Sequence, residues 1–349
     1  MKYYDAVPGN FLLLRFVATR YCNYRCPYCY VPETKMGNRK SMFSHHGPPE
    51  WVRALDCFAD RHLELYFTGG EPTLVDEFAD FLAEMVRKDF VKGVRIDSNL
   101  SRTEEFAARV GDAKVRFLAS FHPTRVSMDA FLPRAERLRE LGMMGMINVV
   151  ASRENVGILG MAPHELADLF EEHGCFLNVA KDFHRGLRTG YDPAYREYID
   201  GLQHPGDNAF MNGTGLTTGR HCGPGKHYLS MSRHGRAYSC GGVCHGGLFD
   251  GTLDLPTDLL PCRQSTCPSI VSYSFSSANA FSPVGHLDDY VRRNRDYRAG
   301  LDQGRLAELW RRIVAKDLMP KGAAEGGTGE AEGRASRYIK AIRDALTGS

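Results

Sequence analysis

Between Phe11 and Lys181 the chain alternates apolar runs of strand length with stretches of helical period, six times over. FLLLRFVAT, LELYFT, GVRIDS, VRFLASF, MINVVAS and FLNVAK read as strands. WVRALDCFADRH, VDEFADFLAEMVRKD, TEEFAARVG, MDAFLPRAERLRELG and HELADLFEEH read as the helices between them. Strand–helix repetition of this kind specifies a parallel sheet with helices packed outside, because each parallel pairing needs a crossover. In such sheets the working residues sit in the loops that follow the carboxyl ends of strands. Three motifs fall there: CNYRCPYC (residues 22–29) after the first strand, TGGEP after the second, and DSN closing the third.

Near Phe183 the alternation stops. Residues 184–285 are rich in Gly, Pro, Ser and Cys, with HYLSMS and RAYSC reading as a hairpin. So little apolar mass calls for a metal staple. From residue 286 to 349 the pattern is helical, interrupted by a flexible link at 321–333. The expected division is a core over 1–183, a cysteine-bearing segment over 184–285 and a helical tail.

Formal net charge is +2, from 44 Lys and Arg against 42 Asp and Glu. That balance offers no footprint for a nucleic-acid backbone and no polybasic membrane address. No apolar run is long enough to span a bilayer, and MKYYDAVPGN lacks the apolar stretch of a signal peptide. A cytoplasmic location is therefore expected. In a reducing compartment, clustered thiols point to metal or chemistry rather than to disulfides. Ten cysteines are present. Cys57 and Cys175 stand alone in apolar patterns and are expected to be buried and inert.

The triplet Cys22, Cys26 and Cys29 offers three ligands where a structural zinc site wants four. A four-iron cluster held by three thiolates keeps one iron open to a small molecule. The spacing CxxxCxΦC, with Tyr28 as the aromatic Φ, resembles the hallmark of the radical S-adenosylmethionine enzymes. YFTGGEP resembles that family's GGE motif, although a tight turn would also account for it. The resemblance covers roughly residues 11–182 and implies a partial (β/α)6 barrel. It implies a catalytic [4Fe-4S] cluster on Cys22, Cys26 and Cys29, whose open iron binds S-adenosylmethionine. One-electron cleavage then gives methionine and a 5′-deoxyadenosyl radical that takes a hydrogen atom from substrate. By resemblance Tyr28 lies by the adenine, and Gly69, Gly70 and Glu71 receive the methionine amino group. Ser98 and Asn99 resemble the residues that contact the ribose, and Ser120 of SFHP lies at a further contact position. Strand-ending turns would explain Ser98, Asn99 and Ser120 equally well. An external electron donor such as flavodoxin or ferredoxin is implied.

The late cysteines resemble the twitch or SPASM modules that carry an auxiliary [4Fe-4S] cluster in this family. Cys222, Cys240, Cys262 and Cys267 are the expected ligands, with a four-thiolate zinc site as the alternative. Cys244 is then left as a displaced ligand, a buried thiol or a catalytic hydrogen donor. The last reading makes the chain an epimerase acting on a sugar-like natural product, similar to the neomycin epimerase type. The alternatives are a dehydrogenase that passes an electron to the auxiliary cluster, a peptide-modifying enzyme, and an iron–sulfur sensor without catalysis. Lys181, Asp182, His184 and Arg185 form a polar set at the end of the last strand. They suit a hydroxylated small molecule such as a glycoside, and a solvated surface explains them too.

Overall fold

The computed structural model describes residues 9–29, 40–182, 191–205, 207, 221–239, 242–261 and 283–320. Strands β1 (Phe11–Thr19), β2 (His62–Gly69), β3 (Val91–Ser98), β4 (Val115–Phe121), β5 (Met144–Val150) and β6 (Leu177–Ala180) lie in sequence order, every adjacent pair parallel. Helices α1 (Pro48–Leu55), α2 (Phe78–Met85), α3 (Thr103–Val110), α4 (Met128–Glu140), α5 (Arg153–Leu159) and α6 (Pro163–Glu172) fill the connections. The result is the expected open, mostly parallel α/β sheet, and it does not close on itself.

Strand phase decides which side chains meet the helices. Phe67 of β2 stacks on Phe16 of β1 at 5.0 Å and meets Phe78 of α2 edge-on at 4.9 Å. All three are essentially excluded from solvent, and each such ring contributes roughly 2–3 kcal/mol by burial. Phe117, Ile147 and Leu177 continue this helix-facing core. Their immediate chain neighbours, Leu118, Met146 and Phe176, are out of phase and point to the opposite face.

That opposite face is covered by α8 (Pro283–Ala299), whose Leu287, Tyr290 and Val291 pack on Leu118, Met146 and Phe176. Gly145 admits the helix: a Cβ there would stand 2.3 Å from Leu287 Cδ2. The tail helices α8 and α9 (Gln303–Ala315) thus pack on the core, α9 seating Trp310 near Tyr198 of α7 (Pro193–Gly201). The link at 321–333 and the last expected helix lie outside the described residues.

The expected hairpin forms from β8 (Tyr228–Met231) and β9 (Arg236–Tyr238). It is attached to the main sheet, with β8 parallel to β1 and β10 (Cys244–Gly247) extending the edge beyond β9. β7 (His221–Cys222) and β11 (Leu260–Pro261) form a separate short pair. Cys175 is buried as expected, but Cys57 is exposed. The helical pattern WVRALDCFADRH runs through Cys57; α1 instead ends at Leu55, and a 3-10 turn over Asp56–Phe58 turns this thiol outward. Among the described residues no helix is long and apolar enough to cross a membrane.

Candidate active site

The loop after β1 is fastened to the loop after β2 through main-chain hydrogen bonds. Gly70 N–H donates to Thr19 O and Glu71 N–H to Tyr21 O, both at 2.8 Å. Side chains could not be accommodated at this contact. A Cβ on Gly69 would lie 2.1 Å from Thr19 O, and one on Gly70 would lie 2.0 Å from Tyr21 O. Gly69 also holds φ +142°, which glycine adopts without strain. The two glycines therefore clamp the GGE turn to the root of the cysteine loop.

Glu71 completes the clamp from inside. It has no solvent exposure. Oε1 accepts from Thr73 N–H, Thr73 Oγ1 and Ser98 Oγ, while Oε2 accepts from Asn99 N–H at 2.6 Å. Burial pushes its pKa up, and these donors oppose the shift. The carboxylate thus ties the end of β3 to the end of β2. Just beyond, Leu100 holds φ +58°, an uncommon conformation for a branched side chain; full burial and a bond from its N–H to Ser98 Oγ hold it there. The turn aims Asn99 at the cysteine loop, where Nδ2 donates to Asn23 Oδ1 at 2.9 Å and to Cys22 Sγ at 3.7 Å.

Cys22, Cys26 and Cys29 line one cavity of about 340 Å³. Burial raises the Cys22 thiol to about 11 and the Cys26 thiol to about 12. Cys22 Sγ already accepts from Tyr24 N–H at 3.3 Å as well as from Asn99. Desolvated sulfurs met by N–H donors are suited to thiolate ligation once a cationic metal group offsets the burial. Among the described residues, no three His, Cys, Asp or Glu side chains converge on a single metal ion. A cluster makes no such demand, since each thiolate ligates its own iron. The donor set fits a three-thiolate cluster.

Tyr28 and His122 form a second wall. Their rings stack at 5.8 Å, and the Tyr28 hydroxyl shares a hydrogen bond with His122 Nδ1 at 2.9 Å; Tyr24 meets the same imidazole edge-on. Burial, with Arg125 nearby, lowers the His122 pKa from 6.5 to about 4. The ring is thus neutral in the folded protein, and the unfolded chain takes up its proton first on acidification. This contribution to stability is complete above pH 6.5 and is lost as the pH falls toward 4, by about 1–3 kcal/mol in all. Denaturant titrations from pH 7 to 4.5 should show a shallower pH slope in His122→Gln than in the parent. Identical slopes would contradict the assignment.

The remaining expected residues divide. Gly69, Gly70, Ser98, Asn99 and Ser120 line the cavity, while Glu71 supports it from behind. Lys181 and Asp182 are buried but do not line it, and Lys181 is engaged with Asp200 at 2.5 Å. Cys244 begins β10, is exposed and is not on the cavity wall. Cys222 belongs to β7. His184, Arg185, Cys240, Cys262 and Cys267 lie outside the described residues. Sequence reading missed the deeper wall. There Tyr66 donates to Asp97 Oδ2 at 2.6 Å and Arg95 lies over the Tyr66 ring at 4.2 Å. Asn148, Asn178 and Tyr290 complete that wall. Polar residues at alternate positions of strands covered on both faces were the signal, since that phase has no reason to be polar unless it faces a site. A larger groove, of about 600 Å³, lies outside between α3 and α4 and gathers no comparable chemistry.

Residues 16–171 match the Radical SAM superfamily. A curated relative, the GTP 3′,8-cyclase of Photorhabdus laumondii, is 30% identical over 131 residues, which are 37% of this chain and 37% of that protein. The chain therefore matches little more than a third of that relative's length. Streptococcus suis SuiB bound to precursor peptide SuiA aligns with a TM-score of 0.49 at 15% identity, over 72% of this chain and 66% of that one. The structure of anSMEcpe with bound AdoMet aligns with a TM-score of 0.46 at 15% identity, over 86% and 98%.

Proposed function

We propose that this chain, whose residues 16–171 match the Radical SAM superfamily, is a radical S-adenosylmethionine enzyme that abstracts hydrogen from an oxygen-bearing small molecule such as a glycoside. The observation that carries the reading is the gathering of three thiols, the clamped GGE turn and the strand-end residues Ser98 and Asn99 around one cavity. Cys22, Cys26 and Cys29 would hold the [4Fe-4S] cluster. Tyr28, steadied by His122, would lie against the adenine of S-adenosylmethionine. The cluster and the sulfonium together supply one-electron reductive cleavage and hydrogen-atom abstraction. The chain's residues bind and orient: Glu71 fixes the β2 and β3 ends, Asn99 steadies the loop at Cys22, and α8 closes the far end of the cavity to water.

Cys222, Cys240, Cys262 and Cys267 are proposed as ligands of an auxiliary cluster, and an external flavodoxin- or ferredoxin-type protein as the electron source. Of the two outcomes for substrate, oxidation is favoured over inversion by one observation. Cys244, the thiol that would return hydrogen in an epimerase, is exposed and off the cavity wall. The test is anaerobic incubation of iron-loaded protein with dithionite and S-adenosylmethionine, which should release 5′-deoxyadenosine and methionine. Intact S-adenosylmethionine after full reduction of the cluster would refute the reading.

A further inference from the structure

One backbone carbonyl dictates which way three side-chain amides face. The same end of the Gln203 amide approaches Val179 O and Asn178 Oδ1, each at 3.0 Å. A backbone carbonyl only accepts, so that end is the nitrogen. The Asn178 atom it meets must then be oxygen, and this oxygen also accepts from the Tyr290 hydroxyl at 2.9 Å. The Asn178 nitrogen is consequently turned toward Asn148, at 2.8 Å, and the Asn148 atom it meets is oxygen. What is left is the Asn148 nitrogen, with no protein partner among the described residues. Amide orientation is ordinarily ambiguous; here Val179 O settles it through Gln203 and Asn178, both almost fully buried.

Asn148 lines the cavity. It pairs in register with Ser120 on β4 and with Asn178 on β6, so the three side chains form one row across the sheet. The geometry points to Asn148 as a substrate-binding residue whose two N–H groups, beside the Ser120 hydroxyl, receive an acceptor oxygen of the substrate, of carboxylate or carbonyl type. Asn178 and Gln203 are positioning residues that keep the donor end outward. Rotating any amide of the row would bring donor against donor or acceptor against acceptor in a buried place, which proteins avoid. Tyr290 locks the row from α8, so the tail helix takes part in setting specificity. The assignment rests on the cavity being the substrate site of a radical enzyme.

The test uses the full chain, anaerobically reconstituted with iron and saturated with S-adenosylmethionine. It is titrated with methyl β-D-glucuronide and with methyl 6-amino-6-deoxy-β-D-glucoside, a carboxylate and an ammonium on the same sugar. The parent should bind the carboxylate at least about tenfold more tightly, as expected when one probe meets its donors and the other opposes them. Asn148→Asp keeps the oxygen that accepts from Asn178 and replaces only the cavity-facing N–H groups, so the preference should reverse. Gln203→Glu, outside the cavity, sets an acceptor against Val179 O and should shrink the preference at least about threefold through the amide row. Equal affinities in the parent, or an unaltered preference in either variant, would overturn the assignment. If Asn148→Asp does not fold, Gln203→Glu decides alone. The parent's 5′-deoxyadenosine yield without either sugar is read separately. Its absence removes the radical reading, whereas its presence with no sugar preference removes only the Asn148 assignment.

Discussion

Cys26→Ala is expected to purify without its cluster and to yield no 5′-deoxyadenosine. The loss should be at least about 10³-fold, the scale seen when an indispensable member of a catalytic unit is removed. The argument is one of coordination: Cys26 is the most deeply placed thiol of the triplet, with 5% exposure. Beyond Cys22 and Cys29, which are themselves ligands, no cysteine among the described residues lines the cavity to replace it. A cluster left with two thiolates lacks the ligand set that keeps three irons fixed and one open. Iron and sulfide content, the visible absorption of the reconstituted protein and nucleoside release should all fall together. Cys57→Ala removes an exposed thiol in a turn away from the site and should change none of them. Full iron loading and activity in Cys26→Ala would contradict the ligand assignment.

Gly70→Ala is expected to damage both stability and site. The new Cβ would lie 2.0 Å from Tyr21 O, 2.4 Å from Tyr21 C and 3.0 Å from Arg20 C. These are backbone atoms, so no rotamer change relieves the contact. Either the bonds Gly70 N–H to Thr19 O and Glu71 N–H to Tyr21 O break, or the cysteine loop shifts. Overpacking against an immovable neighbour costs about 3 kcal/mol or more, which lowers Tm by roughly 4 °C or more in a chain of 349 residues. S-adenosylmethionine binding should weaken at least about tenfold, because the loop that carries Cys22 moves with the contact. Gly201→Ala, at the end of α7 with nothing within 4 Å of the new Cβ, is the control and should leave Tm within a degree or two. Equal effects of the two substitutions would show that the close approach at Gly70 is not what matters.

Much of the fold was legible because local pattern and tertiary outcome agree. VRFLASF became β4 over Val115–Phe121, residue for residue, since Val115, Phe117, Ala119 and Phe121 serve the helix layer, Leu118 the face under α8 and Ser120 the cavity. The strand-end motifs were legible for a related reason: cysteines, glycines and Asn99 stand where parallel sheets build sites. Two helices were overlooked. RENVGIL (α5) is too short to show a period, while α7 carried the signal in Tyr195, Tyr198 and Ile199 but sat in a stretch dominated by turn residues. The attachment of β8 to β1 could not be read at all. Those strands are more than 200 residues apart in sequence, and nothing local chooses an edge for the hairpin. The same limit applies to Lys181, whose charge suggests substrate contact and whose ammonium is engaged by Asp200 of α7. Sequence proposes charged residues for a site; only packing decides whether another element has already neutralised them.

The geometry of Glu71 adds a structural role to the one that the GGE resemblance implies. The sequence suggested an acceptor aimed at a ligand ammonium. The structure places the side chain behind the cavity wall, accepting from Thr73, Ser98 and Asn99. The motif's first contribution is architectural: it joins three strand ends so that Cys22, Ser98 and Asn99 face one space.

The central claim is that three thiolates hold an iron cluster whose free corner binds and reduces a sulfonium. The most direct measurement is EPR of the reduced, anaerobically reconstituted protein before and after addition of S-adenosylmethionine. The account predicts a [4Fe-4S]⁺ signal whose g-values shift on addition, and loss of both signal and shift in Cys26→Ala. A signal that S-adenosylmethionine leaves unchanged in the parent would contradict it.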